Sequence, residues 1–168
     1  NFQLRLILLS TFIRESGNWV KVAYRASTSA TKTLSGASIG LRSGTGGNFS
    51  GAPTRLTFNH GSNSVSLVAG TIVYSDWVHF LFDKTQNYLL HLAYCSDGSG
   101  GGTNNYGGPF KYFKASDTDD TMTESPSGYG SDGIWMTVDH ILVAQEGSNY
   151  IDGRHRDRFR RRGISLGD

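Results

Sequence analysis

A chain of 168 residues with 37% hydrophobic side chains, 12% aromatics and 22 glycines is too apolar to stay disordered and too rich in turn formers for a helical bundle. Its length suits one domain, since domains run to about 100–200 residues, and such a chain can enclose a core without covalent staples. The single cysteine, Cys95, excludes an intrachain disulfide and a CxxC zinc site, while the net charge of +2 is unevenly divided: residues 153–168 hold six arginines against two aspartates, which leaves −2 for residues 1–152.

The elements follow in chain order. NFQLRLILL alternates, with Phe2, Leu4, Leu6 and Leu8 separated by Gln3 and Arg5, and reads as a first strand rather than a signal peptide, because no small-residue cleavage site follows. Glu15 to Asn18 is a turn. In WVKVAYRA, Val20, Val22, Tyr24 and Ala26 point one way and Trp19, Lys21, Ala23 and Arg25 the other, the pattern of a strand with one wet face. Leu34 to Leu41 is a glycine-containing strand, and Ser43 to Asn48 a glycine-rich loop. The run from Pro53 to Tyr94 holds strands near 54–59, 63–68, 71–74, 76–82 and 87–95, separated by turn signals at 59–61, 69–70, 75–76 and 83–87. Ser96 to Gly108 is a long glycine-rich loop, and PFKYFKA at 109–115 a short aromatic strand. Asp117 to Gly133 is acidic and leaves room for one weak strand. IWMTVDHILVAQ at 134–145 closes the body as a long strand with a bulge expected near Asp139; a helical period competes there, and the β-branched content decides for strand. Short strands spaced by turns give an all-β chain: an antiparallel β-sandwich, jelly-roll-like, of roughly 8–10 strands. The expected organisation is a β-sandwich domain over 1–152 and a basic, Arg-rich C-terminal extension over 153–168.

Chemistry-bearing motifs are sparse. The five histidines, His60, His79, His91, His140 and His155, show no metal-ligand spacing, and His79 and His91 read as half-buried strand positions. No G-x-S-x-G elbow and no phosphate loop is present. No cofactor is expected. Asp117, Asp119 and Asp120, with Asp97, form an acidic cluster that could offer oxygen ligands to calcium, although a solvated turn accounts for it more simply. Cys95 reads as a buried small hydrophobe. Trp19, Trp77 and Trp135, with Tyr106 and Tyr129, are candidates for stacking on a glycan, and Asn104 and Asn105 for hydrogen bonding it; Trp19, Tyr106 and Tyr129 lead the set, Trp77 reads as packing, and packing is the simpler role for each tryptophan. Arg154, Arg156, Arg158, Arg160, Arg161 and Arg162 suit an arm that pairs with carboxylates on a neighbouring subunit better than a nucleic-acid contact, because the body is nearly neutral. No apolar run reaches the roughly 20 residues of a membrane span.

The run LTFNHGSNSVSLVAGTIVYSDWVHFLFDKTQNYLLHLAY, with Tyr112 to Ala115 and the closing strand Val138 to Val143, resembles a β-sandwich module of bacteriophage tail and fibre-associated virion proteins. A similar module precedes the catalytic domain of some GDSL-type esterases. The resemblance implies a non-enzymatic structural part of a virion, whether tail, fibre or head decoration, that assembles with its own copies and other virion proteins and attaches to surfaces. A carbohydrate-binding module for surface glycans is the alternative. The end GISLGD resembles the approach to the catalytic serine of GDSL-type esterases, but the sequence closes at Asp168 without that serine; an accessory domain of such an enzyme is the third reading.

Overall fold

The computed structural model describes residues 2–26, 28, 30–95, 111–115, 118–131, 138–145 and 162–165. These residues hold twelve strands and no α-helix: β1 Phe2–Leu8, β2 Gly17–Arg25, β3 Lys32–Leu41, β4 Thr54–Leu56, β5 Val65–Leu67, β6 Ile72–Tyr74, β7 Val78–Phe82, β8 Tyr88–Cys95, β9 Lys111–Ala115, β10 Gly130–Ser131, β11 Val138–Ala144 and β12 Arg162–Ser165. Every pairing is antiparallel. The first sheet runs β10-β9-β1-β8-β3-β4, with β5 also on β3; the second runs β12-β11-β2-β6, with β7 also on β2. The fold is an antiparallel β-sandwich. The strand count exceeds the expected range because one border of β3 and one of β2 are each divided between two short strands. β5 takes Lys32–Leu34 and β4 takes Ala37–Ile39, while β7 takes Gly17–Val20 and β6 takes Ala23–Arg25.

The core lies between the sheets. Leu4, Leu6 and Leu8 of β1, Leu34, Ala37 and Ile39 of β3 and Leu90 and Leu92 of β8 meet Val20, Val22 and Tyr24 of β2, Phe82 of β7 and Val138, Ile141 and Val143 of β11. Strict alternation places residues two apart on one face. Two pairs break it: Leu34 with Ala37, and Val138 with Ile141. Each spans a register shift, between Leu34 and Gly36 and between Val138 and His140. An extra residue in a bulge restores the apolar side chains to the core, and the second bulge sits at Asp139, where the sequence pattern falters. At one end the Phe82 and Tyr88 rings stack at 4.5 Å, tying β7 to β8 across the layers. The weak strand expected within 117–133 is the two-residue β10. Arg162–Ser165, in the segment read as a basic extension, pairs with β11 as an edge strand of the second sheet.

Candidate functional site

The two outer faces of the sandwich have opposite characters. On the first sheet, register aligns Ser38, His91, Arg5 and Tyr112 in one cross-strand row, and Gly36, Ala93, Gln3 and Lys114 in the next. The chain folds its own segments over these rows. Residues 43–50 and 118–129 cross the outer face, and Gly36, Gly40 and Gly47 make the approach possible. A Cβ at Gly40 would lie 2.6 Å from the Phe49 ring, one at Gly47 2.5 Å from the Tyr112 ring, and one at Gly36 3.1 Å from the Thr121 side chain.

Arg5 fastens this cover. Its guanidinium donates to the carbonyls of Gly47 at 2.7 Å and Glu124 at 3.1 Å, and to that of Thr123. The same group lies 4.4 Å from the Phe49 ring centroid and 5.4 Å from that of Tyr129. Arg5 is fully buried, and burial lowers its pKa against the pull of Tyr129 and Asp120. Ser38 Oγ donates to the Thr121 carbonyl, and Lys114 Nζ pairs with Asp120 at 2.8 Å. His91 Nε2 lies 3.0 Å from both Gln3 Oε1 and Tyr129 Oη. Burial, reinforced by the Arg5 charge, drives the His91 pKa down to about 2, so the ring is neutral; burial likewise raises the Tyr129 phenol. Serine, histidine and arginine meet here as a packed layer bonded to its own cover, with Arg5 Nε and His91 Nδ1 buried beside those bonds and without a hydrogen-bond partner among the described residues.

The outer face of the second sheet keeps its access to solvent. β2 contributes Trp19, Lys21, Ala23 and Arg25; β11 contributes His140, Leu142 and Ala144; Tyr74 and His79 come from β6 and β7. Trp19 meets His79 edge-on at 5.3 Å. Lys21 Nζ lies 5.5 Å from the Tyr74 ring and 5.9 Å from the Trp77 ring. His140 and Tyr74 flank Ala23 in register and meet edge-to-face at 5.7 Å, so Ala23 between them is fully buried although it points outward. At the bulge, Asp139 accepts from Arg25 Nε at 2.6 Å and contacts His140 Nδ1 at 2.7 Å. Burial raises its pKa, but the bonds from His140 and Arg25 outweigh that and hold it below the usual carboxylate range. Tyr74 is 42% exposed, against none for Arg5 and His91.

The candidates named from sequence separate accordingly. Trp19 sits on the open face and Tyr129 within the sealed one, on opposite sides of the molecule. His79 is exposed and His91 wholly buried, so neither is half-buried, and they belong to different sheets. Asp119 accepts from the Thr121 backbone at 2.9 Å, and Asp120 is held by Lys114. Among the described residues, no three His, Cys, Asp or Glu side chains gather to hold a metal. Tyr106, Asn104, Asn105, Asp97, Asp117, Trp135, His155, Arg154, Arg156, Arg158, Arg160 and Arg161 lie outside the described residues, as do the side chains of Cys95 and Arg162. Among the described residues no helix is long and apolar enough to cross a membrane. Sequence reasoning missed the grouping of Lys21, Tyr74 and His140; the alternation of β2 marks Lys21 as outward, but only strand order places Tyr74 and His140 on either side of Ala23. No protein-family model matches the chain, and no curated protein matches it in sequence.

Proposed function

We propose that the protein is a non-enzymatic attachment module of a bacteriophage virion, carried on a tail, fibre or head decoration, and that it makes contact through the open face of the second sheet. One observation carries the reading. The chain covers the outer side of one sheet with its own loops and leaves the other side as a solvent-accessible strip of aromatic and cationic side chains. Exposed aromatics and arginine are residue types enriched where proteins bind partners. The likeness of residues 54–94 to virion β-sandwich modules supplies the context, and virion parts assemble as symmetric oligomers.

Three measurements test this. Mass spectrometry of purified particles should find the chain at a stoichiometric copy number, and light scattering of the purified protein should find a closed oligomer. Particles carrying Trp19→Ala with Tyr74→Ala should assemble but adsorb about tenfold less well. A monomeric protein missing from intact particles would overturn the proposal.

A further inference from the structure

We infer that the open face binds a carboxylate-bearing saccharide, laid along β2 and gripped at Lys21 between Tyr74 and Trp77. This rests on the reading of that face as the contact surface and goes further in naming the ligand.

Size argues first. Trp19 to Arg25 is seven residues and six steps of strand, about 20 Å, and three strands are about 14 Å wide. The described side chains of β2, β6, β7 and β11 thus span roughly 300 Å² in projection, room for a short oligosaccharide. The strip is long, shallow and pleated, which suits an extended chain of rings rather than a globular partner.

Chemistry argues second. Tyr74, opposite Ala23 on β2, and Trp19, two pleats further along the same face, present apolar area and π-faces of the kind that pyranose C–H faces require. Between the rings stands an ammonium: Lys21 Nζ is within 6 Å of two aromatic centroids, and no carboxylate of a described residue pairs with it. The strands β2, β6, β7 and β11 bring two permanent cations to this face, Lys21 and Arg25, and one carboxylate, Asp139. Asp139 already binds Arg25 and His140, so the charge left to be answered is that of Lys21. A neutral glycan would leave this ammonium without a counter-ion, whereas a uronate or sialate carboxylate supplies one.

The arrangement also ranks the variants. Lys21→Gln keeps most of the stem over the rings and removes the charge, so it should weaken binding about tenfold with an unchanged melting temperature. Asp139→Asn removes the competing carboxylate and releases Arg25, so affinity for the acidic saccharide should rise several-fold.

The test is an array of uronate- and sialate-terminated glycans together with their methyl esters, probed with the full chain and followed by calorimetry on the best binder. Expected are binding of the acids, about tenfold weaker binding of the matching esters, weakening by salt, and the opposite responses of Lys21→Gln and Asp139→Asn. Equal binding of acid and ester, no binding of any acidic glycan, or a Lys21→Gln variant that binds like the parent overturns the inference. If no glycan binds but particles still lose adsorption with the Trp19 and Tyr74 variants, the saccharide fails and attachment stands, the occupant then being a protein. If the acids bind but the chain is absent from particles, the saccharide site stands and the virion setting fails.

Discussion

Replacing Arg5 by methionine tests whether the cover over the first sheet depends on one buried cation. Methionine retains the apolar stem and fills much of the volume, so the loss is chiefly of hydrogen bonds. Three carbonyls lose their donor: Gly47, Thr123 and Glu124. Glu124 O retains the Phe49 amide at 3.0 Å, which leaves two acceptors stranded. The Gly47 and Thr123 carbonyls lie on a half-buried and an exposed residue, so water replaces part of what Arg5 gave them, and the loss is about 2 kcal/mol, the scale of one hydrogen bond to a charged group. Against the roughly 5–15 kcal/mol that holds a domain folded, this is a large fraction. Urea unfolding reads the total. Hydrogen exchange reads the location: the Phe49 and Thr123 amides, bonded to Glu124 O and Asp120 O, should lose protection before the amides of β2. A loss under about 1 kcal/mol, or protection falling evenly over both sheets, would refute the role given to Arg5.

His91, neutral in the folded chain with a pKa of about 2 against an ordinary 6.5, takes up a proton on unfolding. Its contribution is complete above about pH 6.5 and declines as the pH falls, at up to about 1.4 kcal/mol per unit; His91→Gln should flatten stability between about pH 6.5 and 5.5, above the range where most carboxylates titrate. A wild-type slope unchanged in the variant would remove His91 as its source. Gly17→Ala should destabilise by about 1–3 kcal/mol, because a Cβ there meets the Ala144 carbonyl and the Val143 side chain inside 3 Å; a thermal melt within a degree or two of wild type would count against the register shift at Gly17. Asp76 accepts from the His60 and Gly61 amides at 3.0 and 2.9 Å and from the Thr57 hydroxyl at 2.8 Å. Burial raises its pKa, but these bonds bring the net value below the usual carboxylate range. Its support is present above about pH 4 and is lost below, so Asp76→Asn should lower the melting temperature at neutral pH and less so in acid, as differential scanning calorimetry would show.

The fold was largely legible because alternation and turn chemistry are local. β2 reads directly from WVKVAYRA, and the bulge at Asp139 is visible where the apolar spacing changes from two to three. Burial on the outer face of the first sheet was not legible. Gln3 and Arg5 alternate with leucines exactly as a solvent-facing row would, yet they are buried, because residues more than a hundred positions later lie over them. A polar residue in a half-wet pattern says which way it points; it does not say what covers it. For the same reason Trp19 and Tyr129 looked like members of one site: aromatic identity carries no information about which layer holds the residue.

The contrast between the two faces follows from side-chain size. The outer rows of the first sheet contain Gly36, Gly40 and Ala93, and such gaps are filled only if the chain itself lies across them. On the second sheet's outer face the small residue between β6 and β11, Ala23, is already covered by the Tyr74 and His140 rings that meet beside it. The large side chains along β2 brace one another: Trp19 against His79, and Lys21 between Tyr74 and Trp77. Side chains already held in place lose little rotamer entropy when a ligand arrives, a cost otherwise of about 0.5–1.5 kcal/mol for each one immobilised. A surface so braced before contact would spend little of the binding energy of the proposed saccharide on its own ordering.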